Sequence, residues 1–272
     1  MRLETIYRYS DREDVSMTAY LLGQVDVCAF SGARPALLLC PGGGFAFCSN
    51  REMEPVAMHF AAQGYQVFVL QYSLEEQASF PAPIDDAAWA VQAIRAGAER
   101  FGVHPEKIAV MGFSAGGYVA AGLSVFFAEP SVCPQDGRFS ARPNAAVLCY
   151  PVLTANPDYA HAGSIQRLLG TTPDTPQQRR LLSLEEHVTP EMPPVFLWHT
   201  ADDPGVPVEN SLLFAAALAQ KGIPFELHAF ETGHHGLADC SLRTCDRSHP
   251  HAAHWIGLAQ EWLGEHFDFL PL

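Results

Sequence analysis

Apolar residues fall in short runs along this chain: VSMTAYLL (15–22), PALLLC (35–40), YQVFVLQY (65–72), KIAVMGF (107–113), AAVLCYPV (145–152), PVFLWHT (194–200) and PFELHAF (224–230). Several are apolar on both faces, the pattern of strands in a parallel sheet covered on each side by helices. Amphipathic segments lie between them. In DDAAWAVQAIRAGAERFG (85–102), Ala87, Val91, Ile94, Ala98 and Phe101 recur at helical spacing, while Asp86, Gln92, Arg95 and Glu99 fall mostly on the other side. Asp85 is placed to cap that helix and Gly102 to stop it. VENSLLFAAALAQKG (208–222) and AAHWIGLAQEWLGEHF (252–267) follow the same logic. Strand and helix in alternation predict an α/β fold with a mostly parallel, doubly wound sheet, in which loops at the carboxyl ends of the strands build the site.

No repeat, low-complexity tract or long linker divides the chain, so residues 1–272 are expected to form one domain. Residues 155–193, rich in proline and polar residues, break the rhythm between two strands, and a small lid-like insertion is expected there. At 48% apolar and 17% charged residues a sizeable core is available. The net charge of −14 argues against a nucleic-acid backbone or an anionic membrane as partner and for a small neutral or cationic substrate. The first residues hold no signal-like apolar stretch, and the longest apolar run, near Val119, is too short and interrupted to cross a bilayer. Seven cysteines without framework spacing suit a reducing compartment, so a cytoplasmic location is expected.

The chemistry concentrates in four places. VMGFSAGG sets Ser114 in Gly112-Phe113-Ser114-Ala115-Gly116, between a strand and a small-residue helix, the context of a nucleophile elbow. A structural serine in a tight turn is the bland alternative. A serine hydroxyl needs a base, and the base an orienting carboxylate. Downstream, ADDPGVP offers Asp202 and Asp203 just past one strand, and ETGHHG offers His234 and His235 just past the next. Taken singly, these are turn-making and loop residues; together they stand in the order Ser, Asp, His, each after a strand. Finally, LLLCPGGGFAF puts Gly42, Gly43 and Gly44 directly behind a strand. Three consecutive glycines bury no side chain, but they let a developing oxyanion lie against backbone N–H groups, joined by that of Ala115.

These motifs resemble a serine esterase of the α/β-hydrolase superfamily, on the branch near acetyl xylan esterases and other carbohydrate acetylesterases, close to the hormone-sensitive-lipase-like group. The similarity runs over PALLLCPGGGF, FPAPIDDAAWAV, HPEKIAVMGFSAGG, FLWHTADDPGVPVENS and ETGHHGLA. It implies the α/β-hydrolase fold, with Ser114 as nucleophile, His235 (directly before Gly236) as base and Asp203 (in D-x-x-V-P) as acid. Gly43, Gly44 and Ala115 match the oxyanion donors. Pro41 departs from the lipase-like pattern, which has histidine there to orient the loop, and moves the reading toward the carbohydrate-esterase branch. The resemblance implies no cofactor or metal, and deacetylation of mono- or oligosaccharides through an acyl-enzyme. Phe45 and Phe47 flank the loop and are candidate walls of an acyl pocket, Phe45 the first choice, with core packing the expected role of at least one of them.

Other classes compete. A lipase-like or general short-chain carboxylesterase shares every motif, and a peptidase is chemically feasible but lacks room for a gating domain. A catalytically dead binding module would have lost one of these groups. Cys240, Cys245, His249, His251 and His254 offer soft and imidazole ligands for zinc, at spacings that match no strong pattern.

Overall fold

In the computed structural model, which describes residues 1–23, 32–134 and 138–269, the apolar runs pair into one sheet. Its strands are β1 (Arg2–Tyr7), β2 (Ser16–Leu21), β3 (Arg34–Cys40), β4 (Gln66–Gln71), β5 (Val103–Phe113), β6 (Ala145–Cys149), β7 (Val195–Thr200) and β8 (Phe225–Phe230). They lie in the order β1-β2-β4-β3-β5-β6-β7-β8. β2 runs antiparallel to β1 and β4, and the strands from β4 to β8 are parallel.

β3 shows why the central strands read as unbroken apolar runs. Ala36, Leu38 and Cys40 belong to one hydrophobic cluster and Leu37 and Leu39 to another, on opposite faces of the sheet. Helices α1 (Glu54–Ala62) and α8 (His254–Phe267) supply the second cluster; α2 (Ala82–Ala96), α4 (Ala115–Phe126) and α7 (Glu209–Lys221) supply the first. Each leucine of β3 is fully buried, which contributes about 1.5–3 kcal/mol apiece before entropy is counted.

Three expectations need correction. β1 had no place among the predicted strands: Leu3 is 61% exposed and Tyr7 46%, so this edge strand shows no buried alternation to detect. Helix α2 begins at Ala82, so Asp85 lies within its first turn rather than capping it; its carboxylate receives Arg8 at 2.6 Å. Asp86 and Arg95 are buried rather than solvent-facing. Asp86 accepts from Arg8 and from the Ser73 N–H, and Arg95 reaches the carbonyls of Pro105, Ser140 and Arg142. Gly102 does stop the following short helix, α3 (Ala98–Phe101), at φ +64°.

Two features of this topology place the site. Strand order reverses between β3 and β5, since β4 lies on one side of β3 and the later strands on the other. The loops leaving β3 and β5 therefore diverge and open a crevice at their carboxyl ends. The glycine loop follows β3 and Ser114 follows β5. The 155–193 segment folds as α5 (Ala162–Leu169) and α6 (Pro176–Leu182), and α5 lies beside the glycine loop, where Arg167 Nη1 donates to the Gly44 carbonyl at 3.4 Å. No described helix is long and apolar enough to cross a membrane.

Candidate active site

Ser114 sits at the turn between β5 and α4 with φ +52° and ψ −118°, a left-handed conformation that costs an L-residue energy. Three backbone bonds hold it there: its N–H donates to the Cys149 carbonyl, and its own carbonyl accepts from Tyr118 and Val152. The turn is tight enough that a Cβ on Gly112 would stand 2.1 Å from the Gly116 carbonyl oxygen. Only glycine fits there.

His235 Nε2 lies 2.7 Å from Ser114 Oγ, and His235 Nδ1 lies 2.8 Å from Asp203 Oδ2. With Nδ1–H donating to the carboxylate, Nε2 is left as an acceptor facing the serine hydroxyl. The structure thus separates the two adjacent pairs. Asp202 is exposed and its Oδ1 accepts the Gly233 N–H at 2.6 Å, pinning the loop that carries the histidines. His234 turns away, with Nδ1 at 2.8 Å from the His235 carbonyl.

The Asp203 side chain is fully buried. Burial alone opposes its charge, but the His199 ring 3.5 Å away and the hydrogen bonds from His235 and the Val206 N–H outweigh burial and hold the carboxyl well below the usual carboxylate range. Oδ1 accepts the N–H groups of Gly205 and Val206 at 2.8 and 3.0 Å. The ADDPGVP sequence thus folds its own turn around the carboxylate.

Around the glycine loop, Gly43 has φ +130°, and a Cβ there would stand 2.0 Å from the Phe47 carbonyl oxygen. The loop closes on itself through Ala46 N–H to Gly43 O and Ser49 N–H to Gly42 O. Among the described residues the N–H groups of Gly43, Gly44 and Ala115 donate to no protein acceptor, which fits them to receive negative charge on a substrate oxygen.

Sequence reasoning missed what supports this loop in place of the histidine replaced by Pro41. Glu52, 2% exposed, accepts the Gly42 N–H at 2.7 Å through Oε2 and the Tyr150 hydroxyl at 2.7 Å through Oε1. Burial raises its carboxyl above the ordinary value, and the bonds from Tyr150 and Gly42 offset part of that rise. The Tyr150 hydroxyl also accepts the Ala238 N–H at 2.9 Å, and its ring meets His235 edge-on at 5.1 Å. Tyr72 donates to the Pro41 carbonyl at 2.6 Å. Buried hydrogen bonds therefore run from the glycine loop to the segment after His235. Nothing local in NREMEP distinguishes Glu52 from a surface acid; only its fold neighbours do.

Phe45 does not line a pocket. It is fully buried, edge-on to Tyr72 and Tyr118 with ring centroids 6.1 Å away in each case, so it anchors the loop from below. Phe47 is 59% exposed. The crevice is instead approached by His161, whose Cε1 lies 3.8 Å from where a Gly44 Cβ would stand, with Ser164 Oγ at 3.7 Å. His161 Nδ1 caps α5 by accepting from the Ser164 N–H, which leaves Nε2–H as the neutral ring's donor. Burial lowers its pKa, with smaller contributions from His235 and Arg167. The zinc set suggested by the sequence does not gather. Cys245 donates to the Leu237 carbonyl, His251 packs edge-on to Phe230, and His254 Nδ1 lies 2.9 Å from the His251 carbonyl. Burial pushes the Cys240 thiol up to about 12.

Comparison with known proteins identifies the family. The BD-FAE family profile matches residues 29–218. Endo-1,4-beta-xylanase B of Butyrivibrio fibrisolvens is 41% identical over 208 residues, covering 75% of this chain and 32% of that protein. The chain spans between 32% and 59% of the length of the first curated relatives it matches. The crystal structure of an acetyl ester-xyloside bifunctional hydrolase from Caldicellulosiruptor lactoaceticus superposes with a TM-score of 0.84 at 35% identity, over 98% of this chain and 97% of that one. A carboxylesterase of Lactobacillus plantarum reaches a TM-score of 0.87 at 29% identity, over the whole of both chains. With an eight-stranded sheet of this topology and a family match over most of its length, the chain belongs to the BD-FAE family of α/β-hydrolase esterases.

Proposed function

We propose that this protein is a serine-dependent carboxylic ester hydrolase that removes acetyl groups from acetylated mono- or oligosaccharides. The observation that carries the reading is the continuous chain from Ser114 Oγ through His235 to Asp203 Oδ2, at 2.7 and 2.8 Å, beside a glycine loop with donors to spare. Ser114 Oγ attacks the ester carbonyl while His235 Nε2 takes its proton. Charge on the carbonyl oxygen is met by the N–H groups of Gly43, Gly44 and Ala115. His235 then returns the proton to the departing alcohol oxygen, leaving an acyl-serine and a free hydroxyl. Water, deprotonated by the same nitrogen, attacks the acyl-serine; the Ser114 Oγ–acyl bond breaks, His235 Nε2 gives that proton to Oγ, and the carboxylic acid is released. Throughout, Asp203 holds the imidazole in the productive tautomer and balances its transient charge.

The acetyl and saccharide preference rests on two supports. Ser164 Oγ on α5 comes within 3.7 Å of where a Gly44 Cβ would stand, so this helix crowds the glycine loop and favours a short acyl group over a long one. Among the structural relatives, one is described as an acetyl ester-xyloside bifunctional hydrolase. The test is a panel of p-nitrophenyl esters from acetate to octanoate, then acetylated xylo-oligosaccharides, with Ser114→Ala as control. Acetate is expected to lead, each added methylene costing about 1–3 kcal/mol in kcat/KM once the pocket is full. Ser114→Ala is expected to lower kcat by a factor on the order of 10⁶. Faster turnover of octanoate than acetate would shift the reading to a lipase-like carboxylesterase.

A further inference from the structure

The residue that lost the competition for the triad has geometry of its own. His234 Nδ1 lies 2.8 Å from the carbonyl of His235, so in the neutral ring Nδ1 carries the proton and Nε2 is a bare lone pair. That nitrogen is buried and has no hydrogen-bond partner, and the same is true of Nε2 of His249. The two rings stand edge to face with centroids 5.3 Å apart. Asp246 Oδ1 comes to 3.5 Å from His234 Nε2, too far for a good hydrogen bond. One ligand atom from each of the three residues lies within 4.8 Å of the others.

Two buried ring nitrogens without hydrogen-bond partners are an unfavourable arrangement, because each is removed from water and meets no protein group in return. A ring whose far N–H donates to a backbone carbonyl while its near nitrogen points at a second imidazole and a carboxylate is the usual form of a metal-ligating histidine. We propose that His234, His249 and Asp246 form a site for one divalent transition cation of the zinc class, next to the active site but separate from the triad. Two imidazoles and one carboxylate suit such a cation better than calcium or magnesium, which take oxygen ligands. Bonds of about 2.0–2.2 Å in tetrahedral geometry set ligand atoms roughly 3.4 Å apart. The site must therefore close slightly, and the Asp246 side chain, 82% exposed, is free to supply that movement.

A cation held there would tie the segment after β8, which presents His235, to the loop before α8. It would also order the His235 carbonyl through the His234 Nδ1–H bond. The site differs from the set the sequence suggested, sharing only His249; the signal was split between a loop at 234 and a loop at 246–249, which only folding brings together.

Isothermal titration of untagged, metal-free protein with zinc chloride tests this directly. One equivalent is expected to bind, with a Tm rise of roughly 5 °C at zinc about 100-fold above Kd. His249→Ala is expected to weaken binding by at least ~100-fold, Asp246→Asn by at least ~10-fold, and His251→Ala not at all. His249→Gln serves as a second variant if the alanine form is poorly folded. Magnesium is expected to leave Tm unchanged. Absence of one-to-one binding in the wild type, or zinc affinity unchanged in both His249 variants, would overturn the proposal. Loss of binding in His251→Ala with retention in His249→Ala would also overturn it, by placing the cation on the surface pair His251 and His254.

Discussion

At the scale of single residues, two buried carboxylates near the candidate site have their pKa values moved in opposite directions. Asp203 is held well below the ordinary range by the groups that donate to it, so its contribution to stability is present above about pH 3.9 and is lost as pH falls through its depressed value. Asp203→Asn is therefore expected to lower Tm at neutral pH, with the gap to wild type closing below about pH 4. It should also reduce kcat about 10⁴-fold, while Asp202→Ala costs under about tenfold because Asp202 only pins the Gly233 N–H. Thermal unfolding and ester kinetics on the two variants check both statements. Glu52 is the reverse case. Burial raises its carboxyl, so its charged form weakens the fold as pH rises through that value. Glu52→Gln is expected to keep Tm within about 3 °C of wild type at neutral pH yet lower kcat roughly 10–100-fold with little change in KM. It would loosen the Gly42 anchor without removing a donor outright. A kcat equal to wild type would show that the loop holds its shape without Glu52.

The elements divide by how local their causes are. β3, β5 and the turn between β5 and α4 were legible because both faces of each strand are buried and because glycine spacing around Ser114 has a steric reason within eight residues. The Ser, Asp, His order was legible because each follows a strand. The choice of Asp203 over Asp202 came from motif matching and is explained by the turn that Gly205 and Val206 close onto Oδ1. β1 was illegible for want of a buried face. Phe45 misled because a phenylalanine beside a functional loop reads alike whether it faces substrate or core. Glu52 and Tyr150 were illegible because they meet across 98 residues of sequence; His199, whose partners Val206 and Ser211 lie within twelve residues, was illegible because a histidine inside an apolar strand run carries no mark of its role. Helix α5 carries a prediction of its own. If His161 Nε2–H meets a sugar hydroxyl, His161→Ala is expected to raise KM for acetylated xylo-oligosaccharides about tenfold, the value of one hydrogen bond, and to change KM for p-nitrophenyl acetate less than about threefold. Equal changes for both substrates would remove His161 from the alcohol side.

Over the whole molecule, the reversal of strand order between β3 and β5 sets the glycine loop beside Ser114, and β7 and β8 bring Asp203 and His235 in from the far side of Ser114. Charge, at −14, bears on what approaches this crevice and not on how it is built. Ser114 Oγ, activated by His235, is the atom proposed to take the acyl group. Intact-mass and peptide mass spectrometry after treatment with a fluorophosphonate, with residual esterase activity measured in parallel, tests it most directly. One adduct per chain is expected, located on Ser114, with activity lost in proportion to labelling, and no adduct in His235→Ala on the same timescale. Complete inactivation with the adduct on another residue, or full activity with Ser114 labelled, would contradict it.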